Sequence, residues 1–184
     1  MALLQTPEKD KEFQLVDFVL KATDGKAYTL NDIRGENGTL LLFICNHCPY
    51  VKAVVRRMVD DVRILQQKGI GVAAIMPNDT VKYPADSFEN MKVFAKEHGF
   101  TFPYLIDETQ AIARAYGAVC TPDIFGFNAD GTLQYRGRVD SAGPAEAGPD
   151  AKRELREAML QVAETGKGPA QQAPSMGCSI KWRA

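Results

Sequence analysis

Thr39-Leu40-Leu41-Leu42-Phe43-Ile44 carries no charge and runs directly into Cys45-Asn46-His47-Cys48-Pro49, after which the hydrophobic period changes from continuous to helical. A short unbroken apolar run suits a strand buried on both faces. Val51, Val54, Val55, Met58, Val59, Val62 and Leu65 then recur at three- and four-residue steps, one apolar stripe of a helix. Pro49 falls in its first turn, where a missing N–H costs nothing. Gly69 closes the helix, and Gly71–Met76 reads as a second buried strand. Strand, helix and strand in this order demand parallel neighbours, which commits the chain to an α/β sandwich.

The rest of the chain adds to this unit. Val16–Leu20 and Lys26–Leu30 flank the turn dipeptide Asp24-Gly25 and form an N-terminal hairpin. A second helix over about 86–98 carries Phe88, Met91 and Ala95 on one side, and Phe102–Ile106 is a short strand. Glu108–Tyr116 is a further helix, with His98 placed at the end of the helix before it. Asp123–Phe127 and Thr132–Arg138 make an antiparallel hairpin through Asp130-Gly131. The sheet is therefore expected to be mixed and flanked by helices. A final helix buries Leu155, Ala158, Met159 and Val162. The expected organisation is one domain over 1–184, with a core at about 13–166 and a linker and docking tail at 167–184.

With 184 residues, 45% of them hydrophobic, the chain has enough apolar surface for such a core without disulfide staples. The net charge of −1 has no long run of either sign, so neither nucleic acid nor an anionic membrane is an expected partner. The opening residues lack the basic start and apolar run of a secretory signal, and the expected location is cytoplasmic. Four cysteines in that compartment read as reactive, metal-binding or buried thiols rather than as structural bridges.

Cys45 and Cys48 sit where a buried strand gives way to a helix. The first turn of a helix offers unpaired N–H groups and the positive end of its dipole, which stabilise a thiolate. Cys45 is the expected catalytic nucleophile at the exposed end, assisted by a cationic His47. Cys48, one turn on, is placed to close a disulfide with it. By stabilising the reduced form, His47 is expected to make this couple more oxidising than that of a thioredoxin. A metal-binding module using Cys45, His47 and Cys48 is the competing reading, weakened because Cys120 and Cys178 are isolated and no second pair completes a zinc ribbon. No metal and no cofactor is assigned.

Cys45–Cys48 followed by Val119-Cys120-Thr121-Pro122 resembles the thioredoxin superfamily. The strings Phe43–Lys52, Tyr135–Arg138 and Gly177–Trp182 are more particular, and resemble thioredoxin-like redoxins of the alkyl hydroperoxide reductase/thiol-specific antioxidant (AhpC/TSA) group over about Asp17–Trp182. The resemblance implies a thioredoxin-like sandwich and thiol–disulfide oxidoreductase activity on protein or small-molecule disulfides, by a monomer or homodimer. It also implies a cis Pro122, with the Thr121 backbone free to pair with an extended substrate peptide. A peroxidase or peroxide sensor is the alternative. Against it, the peroxiredoxin Pro-x-x-x-Thr/Ser-x-x-Cys pattern puts Leu41 and Cys45, or Gly38 and Leu42, at its Pro and Thr/Ser positions. Arg136 and Arg138 could offer cationic stabilisation to a departing oxygen, but the favoured reading is solvated charges on an edge strand.

Two cysteines remain. Cys120 is an auxiliary thiol or, the favoured reading, a small buried residue. Cys178 is either a mobile resolving thiol that attacks an oxidised Cys45 or a structural residue packed beneath Trp182. Asp79, Tyr83 and Asp86 follow the second strand and could line the cleft; the favoured reading is that they cap and start the second helix.

Overall fold

The computed structural model describes residues 2–8, 10 and 12–184. In chain order the elements are β1 (Leu3–Gln5), β2 (Val19–Ala22), β3 (Ala27–Thr29), α1 (Leu30–Ile33), β4 (Gly38–Phe43), α2 (Pro49–Gln66) and β5 (Ile70–Met76). A 3-10 turn at Pro84–Asp86 leads to α3 (Phe88–Glu97), β6 (Tyr104–Ile106), α4 (Ala111–Tyr116), β7 (Cys120–Thr121) and β8 (Asp123–Phe127). The chain continues through β9 (Leu133–Tyr135), α5 (Glu154–Thr165) and β10 (Met176–Ser179).

Seven strands form the main sheet in the order β3-β2-β6-β5-β4-β8-β9. Only β4–β5 and β5–β6 are parallel, so the sheet is mixed as expected. The fully buried β4 lies between β5 and β8, and its residues alternate between two apolar layers. Leu40, Leu42 and Ile44 pack on the side of α2 and α5, among Val51, Met58, Leu155 and Met159. Leu41 and Phe43 pack on the opposite side against Ala73, Ile75, Phe125 and Tyr116. This two-sided burial explains the uninterrupted apolar run. Helix α2 leaves β4 with Cys48 as its N-cap and Pro49 in its first turn. Gly69, at φ 78°, adopts the left-handed backbone that turns the chain into β5.

A second, three-stranded antiparallel sheet, β1-β10-β7, lies beside the first and was not expected. It joins the start of the chain, the residues before Pro122 and the tail, with Leu3 opposite Cys178 and Cys178 opposite Thr121. The hairpin strand β9 also stops earlier than its composition suggests. Beyond Tyr135 the Arg136 amide turns away from β8 and donates to Gln172 Oε1 at 2.9 Å. Helix α3 begins two residues later than expected, with Ser87 as its N-cap. No helix among the described residues is long and apolar enough to cross a membrane.

Candidate active site

Parallel neighbours β4 and β5 end at the same edge of the sheet, which brings the Cys45–Cys48 turn beside the loop that follows Met76. The Asp86 carboxylate, fully buried, organises that turn. Its Oδ1 accepts the amides of Asn46 (2.8 Å) and His47 (3.3 Å). Its Oδ2 lies 2.7 Å from His47 Nδ1 and accepts Asn78 Nδ2 at 2.9 Å. Asn46 is fixed in turn, donating to the Ala85 carbonyl at 3.1 Å and accepting the hydroxyl of buried Tyr104 at 2.9 Å. Tyr83 lies parallel to the His47 ring.

From the other side comes the segment around the cis Thr121–Pro122 bond. Cys45 Sγ lies 3.4 Å from Thr121 Oγ1, and Cys48 Sγ lies 3.2 Å from the Thr121 carbonyl oxygen. Thr121 therefore touches both sulfurs of the pair. Among the described cysteines all four are free thiols, and all four are buried.

The electrostatics of the pair differ from the expectation. Cys48 is the sulfur held low, at about 4, chiefly by a hydrogen bond from the Cys45 thiol, and further by the backbone amides of Cys178 and Val51. The Thr121 side chain lowers it as well, and together these donors outweigh burial, which favours the thiol form. Cys45 is raised, first by its hydrogen bond to Cys48, then by burial, then by the negative charge of Asp86. The balance favours the anion on Cys48, at the N-cap of α2, with the shared proton toward Cys45. Nor is Cys45 at an exposed end: it is 1% exposed. The positive end of α2 reaches the sulfur that caps it, one turn nearer the helix than Cys45.

His47 does not act as the expected cationic partner. Its Nδ1 is 2.7 Å from Asp86 and 4.0 Å from Cys45 Sγ, so the carboxylate balances any charge on the ring. His47 is therefore not the source of a more oxidising couple; the lowered Cys48, which stabilises the reduced form, is the ground that remains for it. Cys45, His47 and Asp86 place their potential ligand atoms within 4.8 Å of one another, so the competing metal set would recruit Asp86 in place of Cys48. Asp86 already accepts from both amides and from Asn78 while facing His47, an arrangement that serves as a hydrogen-bonded brace for the turn.

Three further expectations change. Arg136 is buried, not solvated: it donates through Nε and a terminal nitrogen to Asp123 at 3.1 and 2.9 Å and stacks over Phe125. Arg138 is paired with Glu154. Cys178 does not pack beneath Trp182, whose ring lies under Arg114. Cys178 lies instead in the same apolar cluster as Cys45 and Cys48. The Thr121 edge implied for a substrate peptide is taken by the chain's own β10. Cys120 lies one residue along β7, on its other face, with its thiol 3.6 Å from the Pro122 carbonyl and raised by burial and then by Asp123.

Asp86, read first as a helix cap, and Asn78 are site residues to which sequence reasoning gave no role. The available signal was that Ser87 can cap α3 without help, leaving a spare carboxylate in the loop after β5, and loops after adjacent parallel strands meet at one edge.

A mixed sheet flanked by helices, with a Cys-x-x-Cys turn at the start of α2 against a cis-proline segment, defines a thioredoxin-like protein. The chain belongs to the AhpC/TSA family, whose model matches residues 13–136. It is similar to the crystal structure of an uncharacterized conserved protein from Geobacillus kaustophilus, at 40% identity and a TM-score of 0.93, covering 100% of this chain and 97% of that one. A hypothetical protein from Sinorhizobium meliloti is similar at 33% identity and a TM-score of 0.92, covering 98% of each chain. The thiol-disulfide oxidoreductase ResA of Geobacillus thermodenitrificans is 28% identical over 118 residues, 64% of this chain and 63% of that protein.

Proposed function

We propose that this chain is a thiol–disulfide oxidoreductase whose working couple is Cys45–Cys48. The convergence of both sulfurs on Thr121 carries this reading: the dithiol is held at the start of α2 with one proton shared between its members. Cys48 is enclosed by Thr121, α2 and the tail, while Cys45 adjoins His47, whose side chain is 19% exposed. Cys45 is therefore the sulfur that meets substrate. As it attacks a disulfide its proton passes to Cys48, a mixed disulfide forms, and one substrate thiolate leaves. Cys48 then gives its proton to a departing sulfur and attacks Cys45 Sγ, which closes the Cys45–Cys48 bridge and releases the second substrate sulfur.

Pro122 faces the substrate side, where it lines a recess of about 100 Å³ with residues including Tyr50, Val54 and Met176. The substrates in this reading are disulfides of proteins or small thiols, and the setting is the reducing cytoplasm. The similarity to a protein named as a thiol-disulfide oxidoreductase supports the same chemistry. Disulfide-reduction assays on the two single variants test it. Cys45→Ser is expected to abolish turnover, and Cys48→Ser to accumulate mixed disulfides visible by intact mass. Wild-type turnover in both variants would overturn the mechanism.

A further inference from the structure

The tail places a third sulfur against the couple. β10 pairs antiparallel with β7, and Cys178 is the residue directly opposite Thr121. Residues directly opposite one another in an antiparallel pair project to the same face. The Thr121 side chain on that face lies against Cys45 Sγ at 3.4 Å, so the Cys178 side chain faces the dithiol as well. The approach is close because residue 177 is glycine: a Cβ there would fall 1.9 Å from the Thr121 carbonyl oxygen, the oxygen that Cys48 Sγ contacts at 3.2 Å. Cys120, by contrast, alternates to the other face of β7.

We propose that Cys178 is a third redox thiol of the site, taking the disulfide over from Cys45 to give a Cys48–Cys178 bridge. The proposal rests on the Cys45–Cys48 couple described above and adds an exchange step to it. In the oxidised protein the Cys178 thiol gives up its proton and its sulfur attacks Cys48 Sγ. The Cys45–Cys48 bond breaks, and its electron pair leaves on Cys45, which takes up a proton. One disulfide is exchanged for another, so no external oxidant or reductant takes part.

The direction of attack follows from the packing. The Cys178 amide already donates toward Cys48, and the Cys178 thiol is raised to about 11 by burial and then by its hydrogen bond with Cys48. Once Cys48 is in a disulfide it is no longer anionic, and that part of the restraint on Cys178 is gone. The outcome is a Cys45 returned to its thiol form, with β10 covalently tied to the start of α2.

Disulfide mapping of the full chain decides it. Reduced protein is oxidised with oxidised glutathione, quenched in acid, alkylated, digested and analysed by mass spectrometry. Wild type is expected to give both Cys45–Cys48 and Cys48–Cys178 peptides. In Cys45→Ser, which keeps three of the four cysteines, the Cys48–Cys178 bridge should become the main intramolecular product, with free thiols falling from three to one. A wild type that yields Cys45–Cys48 alone overturns this proposal and leaves the oxidoreductase reading standing. A wild type that yields neither bridge overturns both. Should Cys45→Ser fold poorly, the wild-type map alone gives the answer.

Discussion

The two sheets of this molecule are held together in different ways. In the large sheet β4 is buried on both faces, paired on both edges, and its alternate residues feed two apolar layers. The small sheet has strands of three, two and four residues, and its outer strand leaves Leu3 and Leu4 51% and 39% exposed. What fixes it is a set of polar links: Thr6 and Ser175 exchange hydrogen bonds at 3.0 Å, Ser175 Oγ donates to the Pro122 carbonyl at 2.7 Å, and the Lys181 amide donates to Asn78 Oδ1 at 2.9 Å. Asn78 in turn donates to Asp86, so the tail is connected to the brace under Cys45–His47. The large sheet supplies stability through area removed from water, and the small one supplies placement through direction.

The largest expected effect lies in the large sheet. Leu42→Ala removes a fully buried side chain from the layer beneath α2 and α5, and is expected to destabilise the fold by about 2–5 kcal/mol in denaturant titration. A loss well under that range would break the contrast, because it would show that the buried strand is not where stability resides.

A middle effect belongs to the small sheet. Gly177→Ala puts a methyl group 1.9 Å from a backbone oxygen that cannot swing aside, so β10 must move off Thr121–Pro122. Overpacking of this kind costs about 1–3 kcal/mol. Its signature, however, is local: alkylation of Cys178 and Cys48 in the reduced protein should accelerate while the unfolding midpoint shifts less than for Leu42→Ala. Unchanged thiol protection would mean that the pairing does not cover the site.

The same contrast explains what could be read from residues alone. Strands β4 and β5, helix α2 and helix α5 announce themselves because each buries a contiguous stretch, and burial leaves a period in the sequence. The Cys45–Cys48 turn was legible because it sits between two such stretches. A strand of two residues has no period, and the partners of β10 lie at the far end of the chain and beside Pro122. Gly177-Cys178 therefore stood out as a string without showing where it docks. Arg136 misled for a related reason: its composition suggests solvent, while its position opposite Asp123 is a tertiary fact. The helix dipole marks where a helix starts, and not which of two sulfurs caps it; the cap is Cys48.

The smallest expected effect separates the contributions of brace and tail to the two thiols, and it is read by absorbance of the thiolate against pH. With Cys48 lowered to about 4, the reduced protein should show one thiolate throughout the neutral range, gained as pH rises through that value. With Cys120 and Cys178, both themselves raised, replaced by serine, the second thiolate belongs to Cys45, and it should appear only well above the ordinary thiol range, because a raised value keeps the proton on as pH climbs. Asp86 contributes to that second step by charge and is not among the groups that lower Cys48, whose donors are the Cys45 thiol, the tail, α2 and the Thr121 side chain. Asp86→Asn removes the charge and keeps an acceptor oxygen for the amides of Asn46 and His47. The second step should therefore move to lower pH while the first stays in place. Movement of the first step alone would reverse the roles of the two walls, making the Asp86 brace, and not the tail strand, the part of the structure that governs Cys48.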